Sequence, residues 1–291
     1  MKVLITGAGG MVGQSLSRVC ELSGDHVLSY DRRRLDITDG QLVLSTFEAE
    51  RPDVVINCAA WTDVDACEGD QEKAHQINAL GPENLAGGSR KVGAGFITIS
   101  TDYVFDGREE GFYTQRNDPN PESVYAVSKL EGERRAQLAY ARSIIVRSGF
   151  IFGSGGRNFL STILERAQRG QTLQAIKDAF GTPTYAPDLA SRLRKLAILD
   201  LPGIYHIVNS GDGASYEEFV RAVLADADID TRVDGISMDS LKRPAARPRN
   251  SRLRCLLSEA IGLVPLRIWR AAVTEFVALQ GKLEIAARQQ N

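Results

Sequence analysis

Tyr125-Ala126-Val127-Ser128-Lys129 sets a phenol and an ammonium four positions apart, which makes them neighbours one turn apart if the segment is helical. An unperturbed phenol has a pKa of about 10 and is a reluctant proton donor at neutral pH. A nearby positive charge favours the phenolate and brings the pair into a useful range. Ser100-Thr101-Asp102 adds the Thr101 hydroxyl, which can hold a carbonyl or the phenol in position. Thr6-Gly7-Ala8-Gly9-Gly10-Met11-Val12-Gly13 follows an apolar run at the N-terminus. Free N–H groups and the helix dipole at such a strand-to-helix turn favour an anion such as a pyrophosphate. Reducing a ketone puts negative charge on oxygen as hydride arrives, so a proton donor must sit against that oxygen. The three clusters together imply hydride delivery from a nicotinamide to a carbonyl. Tyr-x-x-x-Lys alone occurs by chance in many helices, and it is the joint context that gives it meaning.

Side chains at Gly7, Gly10 and Gly13 would obstruct the turn, the cofactor's approach or the packing of helix on strand. Met11 and Val12 open the helix between them. The spacing is Gly-x-x-Gly-x-x-Gly, because Val12 stands where Gly-x-Gly-x-x-Gly needs glycine, which points to the short-chain reductase variant of the fingerprint. Asp31 ends a later strand and could hold an adenosine ribose. Arg32 and Arg33 follow at once, and guanidinium groups suit a 2′-phosphate. NADPH is therefore the expected cofactor, with NADH left open. Asp36 is placed to meet the adenine, and Ala59 and Ala60 are small enough to let the cofactor lie across the sheet edge.

The elements that must carry these residues are short and β-branched. Lys2–Ile5, His26–Tyr30, Asp53–Asn57, Gly95–Ile99, Ser143–Arg147 and Gly203–Val208 read as buried strands, and the segments between them suit crossover helices. That alternation is an α/β, doubly wound parallel sheet of Rossmann type. Residues 1–149 and 181–209 are expected to form the dinucleotide-binding domain. Residues 150–180 and 210–291 are expected to form a smaller, mostly helical substrate lobe, with the site in the cleft between. Ser215 and Glu218 fit a capping box that starts a helix.

Composition excludes several classes. Lys+Arg 35 against Asp+Glu 37 offers no bulk attraction to nucleic acid or anionic lipid. No run of about 18 apolar residues could span a bilayer, and the opening strand leaves no room for a signal peptide. Cys20, Cys58, Cys67 and Cys255 show neither metal-ligand spacing nor a disulfide framework. A cytoplasmic enzyme with reduced thiols, no nucleic-acid partner and no membrane partner is expected. Arg243, Arg247 and Arg249 form the main basic run and could neutralise a substrate diphosphate. Asn158, after a glycine-rich turn, is a candidate for the substrate pocket.

With these residues in view, the chain resembles the dTDP-4-dehydrorhamnose reductase family of extended short-chain dehydrogenase/reductases over nearly its whole length. The specific stretches are Ser100–Gly107, Pro119-Asn120-Pro121 leading into Tyr125–Glu133, Phe180–Thr184 and Arg247–Leu253. The resemblance implies reduction of the C4 ketone of a dTDP-linked 6-deoxyhexose, with Thr101, Tyr125 and Lys129 as the catalytic set. It also implies that Asp102 and Tyr103 lie beside the nicotinamide and that the nucleotide sugar sits under the C-terminal lobe. Where the family usually shows Arg-Thr-Ser-Trp, with tryptophan facing the sugar, this chain reads Arg147-Ser148-Gly149-Phe150. Phenylalanine keeps the apolar face and drops the N–H donor, so the identity of the sugar is the least constrained part. A ketoreductase of another nucleotide deoxysugar, or a non-catalytic NADP-binding regulatory subunit like the beta subunit of methionine adenosyltransferase, are the alternatives. Some relatives bind magnesium through interface glutamates; Gln14 stands near that place, so no metal is expected. A homodimer is compatible with the class, although no patch in the sequence marks an interface.

Overall fold

The computed structural model describes residues 1–156 and 159–289. Five strands, β1 (Lys2–Thr6), β2 (His26–Tyr30), β3 (Val54–Asn57), β4 (Gly95–Thr101) and β5 (Ile144–Ser148), join the strand Gly203–His206 in one parallel sheet. Its order is Gly203–His206, β5, β4, β3, β1, β2. The expected doubly wound sheet is present. After β2 the chain crosses to the far side of β1, so the direction of winding reverses between β1 and β3. In open α/β sheets ligands bind beyond the carboxyl ends of the strands at that reversal. Here those ends are Thr6 and Asn57.

Strand runs of Val, Ile and Leu fill both faces of the sheet because helices cover each side. The helices Met11–Leu22 and Ala186–Leu199 pack together on one face, and Gly40–Glu50 and Gly81–Val92 on the other. A buried polar ladder crosses the switch point. Thr6 Oγ1 donates to Asn57 Oδ1 at 2.6 Å, Asn57 Nδ2 donates to Thr98 Oγ1 at 3.0 Å, and the Ala59 N–H returns to Asn57 Oδ1 at 3.0 Å. The ladder ties the ends of β1 and β3 to the middle of β4.

The helix Val124–Ala139 is capped by Ser123, whose hydroxyl accepts the Ala126 N–H. It lies close against a π-helical turn, Gln76–Leu80, and a Cβ at Gly132 would come within 2.1 Å of the Asn78 carbonyl oxygen. At the next position, Glu133 receives Arg147 of β5 in a two-pronged ion pair, Nε to Oε1 at 3.0 Å and Nη2 to Oε2 at 2.7 Å. Both side chains are buried.

A second set of cores lies beyond β5. Phe152, Leu160, Phe219, Trp269 and Phe276 pack between the helices Phe159–Gln168, Tyr216–Asp226 and Trp269–Gln289. A smaller cluster includes Leu173, Val220 and Val233. This part is less purely helical than the periodicity suggested, because Leu173–Ile176 pairs in parallel with Val233–Ile236 and two-residue strand pairs join it elsewhere. The capping box forms as expected: Glu218 N–H to Ser215 Oγ at 3.1 Å, and Ser215 N–H to Glu218 Oε2 at 2.7 Å.

Removing one partner of a buried ion pair leaves an uncompensated charge and costs about 3–5 kcal/mol. Glu133→Ala is expected to lower unfolding stability by that order in urea titrations, and Glu133→Leu with Arg147→Met to recover most of it. A single-variant loss below about 1 kcal/mol would show that the pair does not anchor this helix.

Candidate active site

The glycine loop is dictated by clearance. Gly7 sits at φ +64°, and a Cβ there would come within 2.6 Å of the Ala59 backbone; a Cβ on Gly13 would come within 2.4 Å of the Gly7 carbonyl oxygen. The loop thus touches β3's exit and its own helix with nothing between, leaving the N-terminus of Met11–Leu22 open to an anion.

Two cavities meet this loop. One, of about 620 Å³, has Gly10, Met11, Val12 and Gly13 on one wall, Thr101, Asp102, Tyr103, Tyr125 and Lys129 on another, and Phe150 and Tyr216 from the second lobe. The other, of about 420 Å³, is lined by Gly7, Arg32, Asp36, Ala59, Ala60, Trp61 and Lys73 among others. Together they offer a long cleft along the carboxyl ends of β1, β3 and β4, which fits a dinucleotide.

Tyr125 and Lys129 lie in the first turns of their helix, both buried. Burial pushes the Tyr125 phenol well above its ordinary value, and a hydrogen bond with the Thr101 hydroxyl opposes part of that. Lys129 Nζ donates to the Ile99 carbonyl at 2.7 Å, and burial pulls the ammonium down to about 8. Desolvation dominates the phenol, opposite to the acidifying effect expected of Lys129, and the ammonium is tied to β4. The phenol is fully protonated at neutral pH, the state a proton donor needs.

Asp102 begins a 3₁₀ turn at the end of β4. Burial raises its carboxyl to about 6, against hydrogen bonds with Ser251 and Thr101, and its Oδ2 has no partner. Gly149 makes this pose available, since a Cβ there would lie 2.2 Å from the carboxyl. Phe150 follows at φ +45°, a strained value for a side-chain-bearing residue. Its ring stacks on Tyr216 with centroids 4.3 Å apart and fills the space over Gly181, where a Cβ would meet it at 2.4 Å.

Beside this wall is a small cavity lined by Tyr103, Phe150, Tyr216, Arg243 and Arg247. Arg247 is aimed by Asp65, with Nη1 at 2.9 Å and Nη2 at 2.7 Å from the carboxylate, and this contact holds the Asp65 carboxyl below its usual range. Arg243 has no ion-pair partner among the described residues.

Three of the sequence candidates, Asp31, Arg33 and Arg249, are not brought to these walls. The Asp31 carboxylate accepts the N–H groups of Arg33 and Arg34, each at 3.0 Å, so it closes its own turn; Arg33 lies outside both cavities. Arg249 is exposed and paired with Asp178 and Asp239 at 2.9 and 2.5 Å. Asn158 falls outside the described residues. Among the lining residues that the sequence did not single out is Lys73, whose Nζ lies 4.2 Å from the Trp61 ring centroid, in the same cavity as Arg32. Tyr216 was missed as well, although the capping box placed it at the first helical position.

The family model described as the RmlD substrate binding domain matches residues 1–281. A dTDP-4-dehydrorhamnose reductase of Streptomyces griseus is 40% identical over 96% of this chain and 94% of its own. Among solved structures, a dTDP-4-dehydrorhamnose reductase of Clostridium acetobutylicum superposes with a TM-score of 0.94 at 36% identity, covering 97% of this chain and 100% of the other. One from Bacillus anthracis, in complex with NADP, superposes with a TM-score of 0.92 at 32% identity, covering 94% and 98%. With one model running the length of both lobes, and relatives that align from the glycine loop to the last helix, the chain belongs to the RmlD substrate-binding-domain family.

Proposed function

We propose that this protein reduces the C4 ketone of a dTDP-linked 6-deoxyhexose with NADPH, converting dTDP-4-dehydro-L-rhamnose to dTDP-L-rhamnose. The observation that carries the reading is that one cavity is walled by the anion-binding glycine loop, by Thr101, Tyr125 and Lys129, and by the aromatic face of the second lobe. The named activity of the Streptomyces griseus relative and the NADP bound by the Bacillus anthracis structure support it. In this reading, 1–149 with 181–209 holds the cofactor, and 150–180 with 210–291 holds the sugar. Four free cysteines, and the lack of any helix among the described residues long and apolar enough to cross a membrane, suit work in the cytoplasm.

When bound, the nicotinamide supplies hydride. The chain's own groups do the rest. N–H groups at the start of Met11–Leu22 hold the pyrophosphate. The Tyr125 phenol gives its proton to the C4 oxygen as negative charge develops there, and the Thr101 hydroxyl fixes the direction of the phenol. Lys129, one turn along, offsets the phenolate left behind and can exchange its bond to Ile99 for one to a ribose hydroxyl. Arg243 and Arg247 meet the substrate diphosphate, while Phe150 and Tyr216 press on the sugar. Arg32 and Lys73 supply the positive charge for the adenosine 2′-phosphate. A phenol, a hydroxyl and an ammonium gathered on one cavity wall serve no purpose in a purely regulatory subunit, which favours catalysis.

Tyr125→Phe is expected to lower turnover by at least about 100-fold while NADPH affinity stays close to that of the parent. The assay is substrate-dependent loss of NADPH absorbance across a panel of 4-keto nucleotide sugars; cofactor binding with no turnover on any of them would defeat the reading.

Arg32→Ala with Lys73→Ala should reduce kcat/KM for NADPH roughly 10- to 100-fold, the scale of charge-assisted hydrogen bonds, and leave NADH nearly unaffected. Arg33→Ala should change neither. An unaltered NADPH-to-NADH ratio in the double variant would remove both residues from the assignment.

Asp102 has a folded-state pKa raised to about 6 from an ordinary 3.8. The folded protein then binds more protons than the unfolded chain between those values, so this group lowers stability as pH rises through them. Asp102→Asn should stabilise the cofactor-free protein, with a gain that grows by about 1 kcal/mol between pH 5 and 7. A gain that is flat with pH would show that the carboxyl is not the cause.

A further inference from the structure

Arg147 and Arg192 are 3% and 8% exposed. Arg147 is neutralised by Glu133. Arg192, on the helix Ala186–Leu199, has no carboxylate within ion-pair distance among the described residues; its Nη2 donates to the Val264 carbonyl. A guanidinium withdrawn from water without an opposite charge is costly, and burial pulls Arg192 below its ordinary pKa, with only the Cys255 thiol acting against that.

The space beside Arg192 is not filled by protein. A cavity of about 320 Å³ opens there, with Asn209, Cys255, Ser258 and Leu263 on its walls. It shares no wall residue with the catalytic cavity. The remaining charged groups of the lining are Arg254, Glu259 and Asp212; the first two pair with each other at 2.8 Å, and Asp212 is exposed. Arg192 is therefore the cation of the lining that has no carboxylate partner among the described residues, and the space beside it is large enough for a small polyatomic ion.

We propose that this cavity binds a compact oxyanion, of the class of inorganic phosphate or a small carboxylate, with Arg192 as its counter-charge. The site is independent of the sugar chemistry and gives the buried guanidinium the partner that the fold withholds.

The test is thermal unfolding of the full chain saturated with NADPH, which occupies the glycine loop, in an Arg243→Gln background, which removes a substrate-site cation. Phosphate or acetate is added at constant ionic strength against chloride. A saturable rise is expected, of about 5 °C at a hundredfold excess over Kd, and the anion giving the larger rise identifies the class. Arg192→Met should abolish the rise and begin at a melting temperature equal to or above the parent's. No saturable rise, or a rise that survives Arg192→Met, overturns the proposal. Should Arg192→Met fail to fold, crystals of the unaltered chain soaked in selenate decide: anomalous density against the Arg192 guanidinium supports the site, and an empty cavity overturns it.

Discussion

The seating of the helix Val124–Ala139 against β4 and β5 is the constraint from which the active site follows. Three contacts of different kinds hold it: the Arg147–Glu133 ion pair, the Lys129 bond to the Ile99 carbonyl, and the backbone approach that Gly132 permits over Asn78. Asn78 in turn binds the Trp61 backbone with both ends of its amide and reaches the Ser128 hydroxyl. The π-helical turn that presents Asn78 is a departure often found at functional positions. Through it, the helix bearing the phenol and the loop flanking the adenosine cavity share one buried support. A shift of either would misplace the other by a distance that proton transfer does not tolerate.

Burial sets the electrostatic character of the resting cleft. Tyr125, Tyr216 and Asp102 are all pushed toward their neutral forms, and Lys129 is also pulled toward neutrality. Withdrawal from water moves each of these groups in that direction. The preference reverses for the reacting state, because a developing oxyanion in the same low-dielectric space is stabilised strongly by an adjacent donor and ammonium. The spacing of tyrosine and lysine places the two groups one turn apart on a single helix, whereas their protonation states depend on burial that no spacing reveals.

The strands, the capping box at Ser215, the glycine loop and the Tyr125–Lys129 pair were legible because each rests on local rules: alternation, capping, clearance and helical period. What remained illegible depends on which side chains meet across the fold. The run Arg243 to Arg249 reads as one basic patch, yet Asp65 takes Arg247 and Asp178 with Asp239 takes Arg249, leaving Arg243 as the cation of the run with no ion-pair partner among the described residues. Likewise, the arginines after β2 look equivalent until Asp31 closes its turn on the N–H groups of Arg33 and Arg34. Lys73 has no signature at all; only its position over Trp61 brings it into the lining of the cavity that holds Arg32.

Gly149-Phe150 shows how one local departure can alter two subsites together. Any side chain at 149 would collide with the Asp102 carboxyl in its present pose, so the glycine and the buried acid are coupled through space. The next residue pays in backbone strain, and its ring gains a seat between Gly181 and Tyr216. Strain of this kind persists only where surrounding packing over-determines it. Because the same two-residue step clears the Asp102 carboxyl and places the aromatic wall, under the proposed function a change in sugar preference here would entail a change in how Asp102 is held. Substrate choice and the electrostatics of the reaction are then not separable variables in this chain.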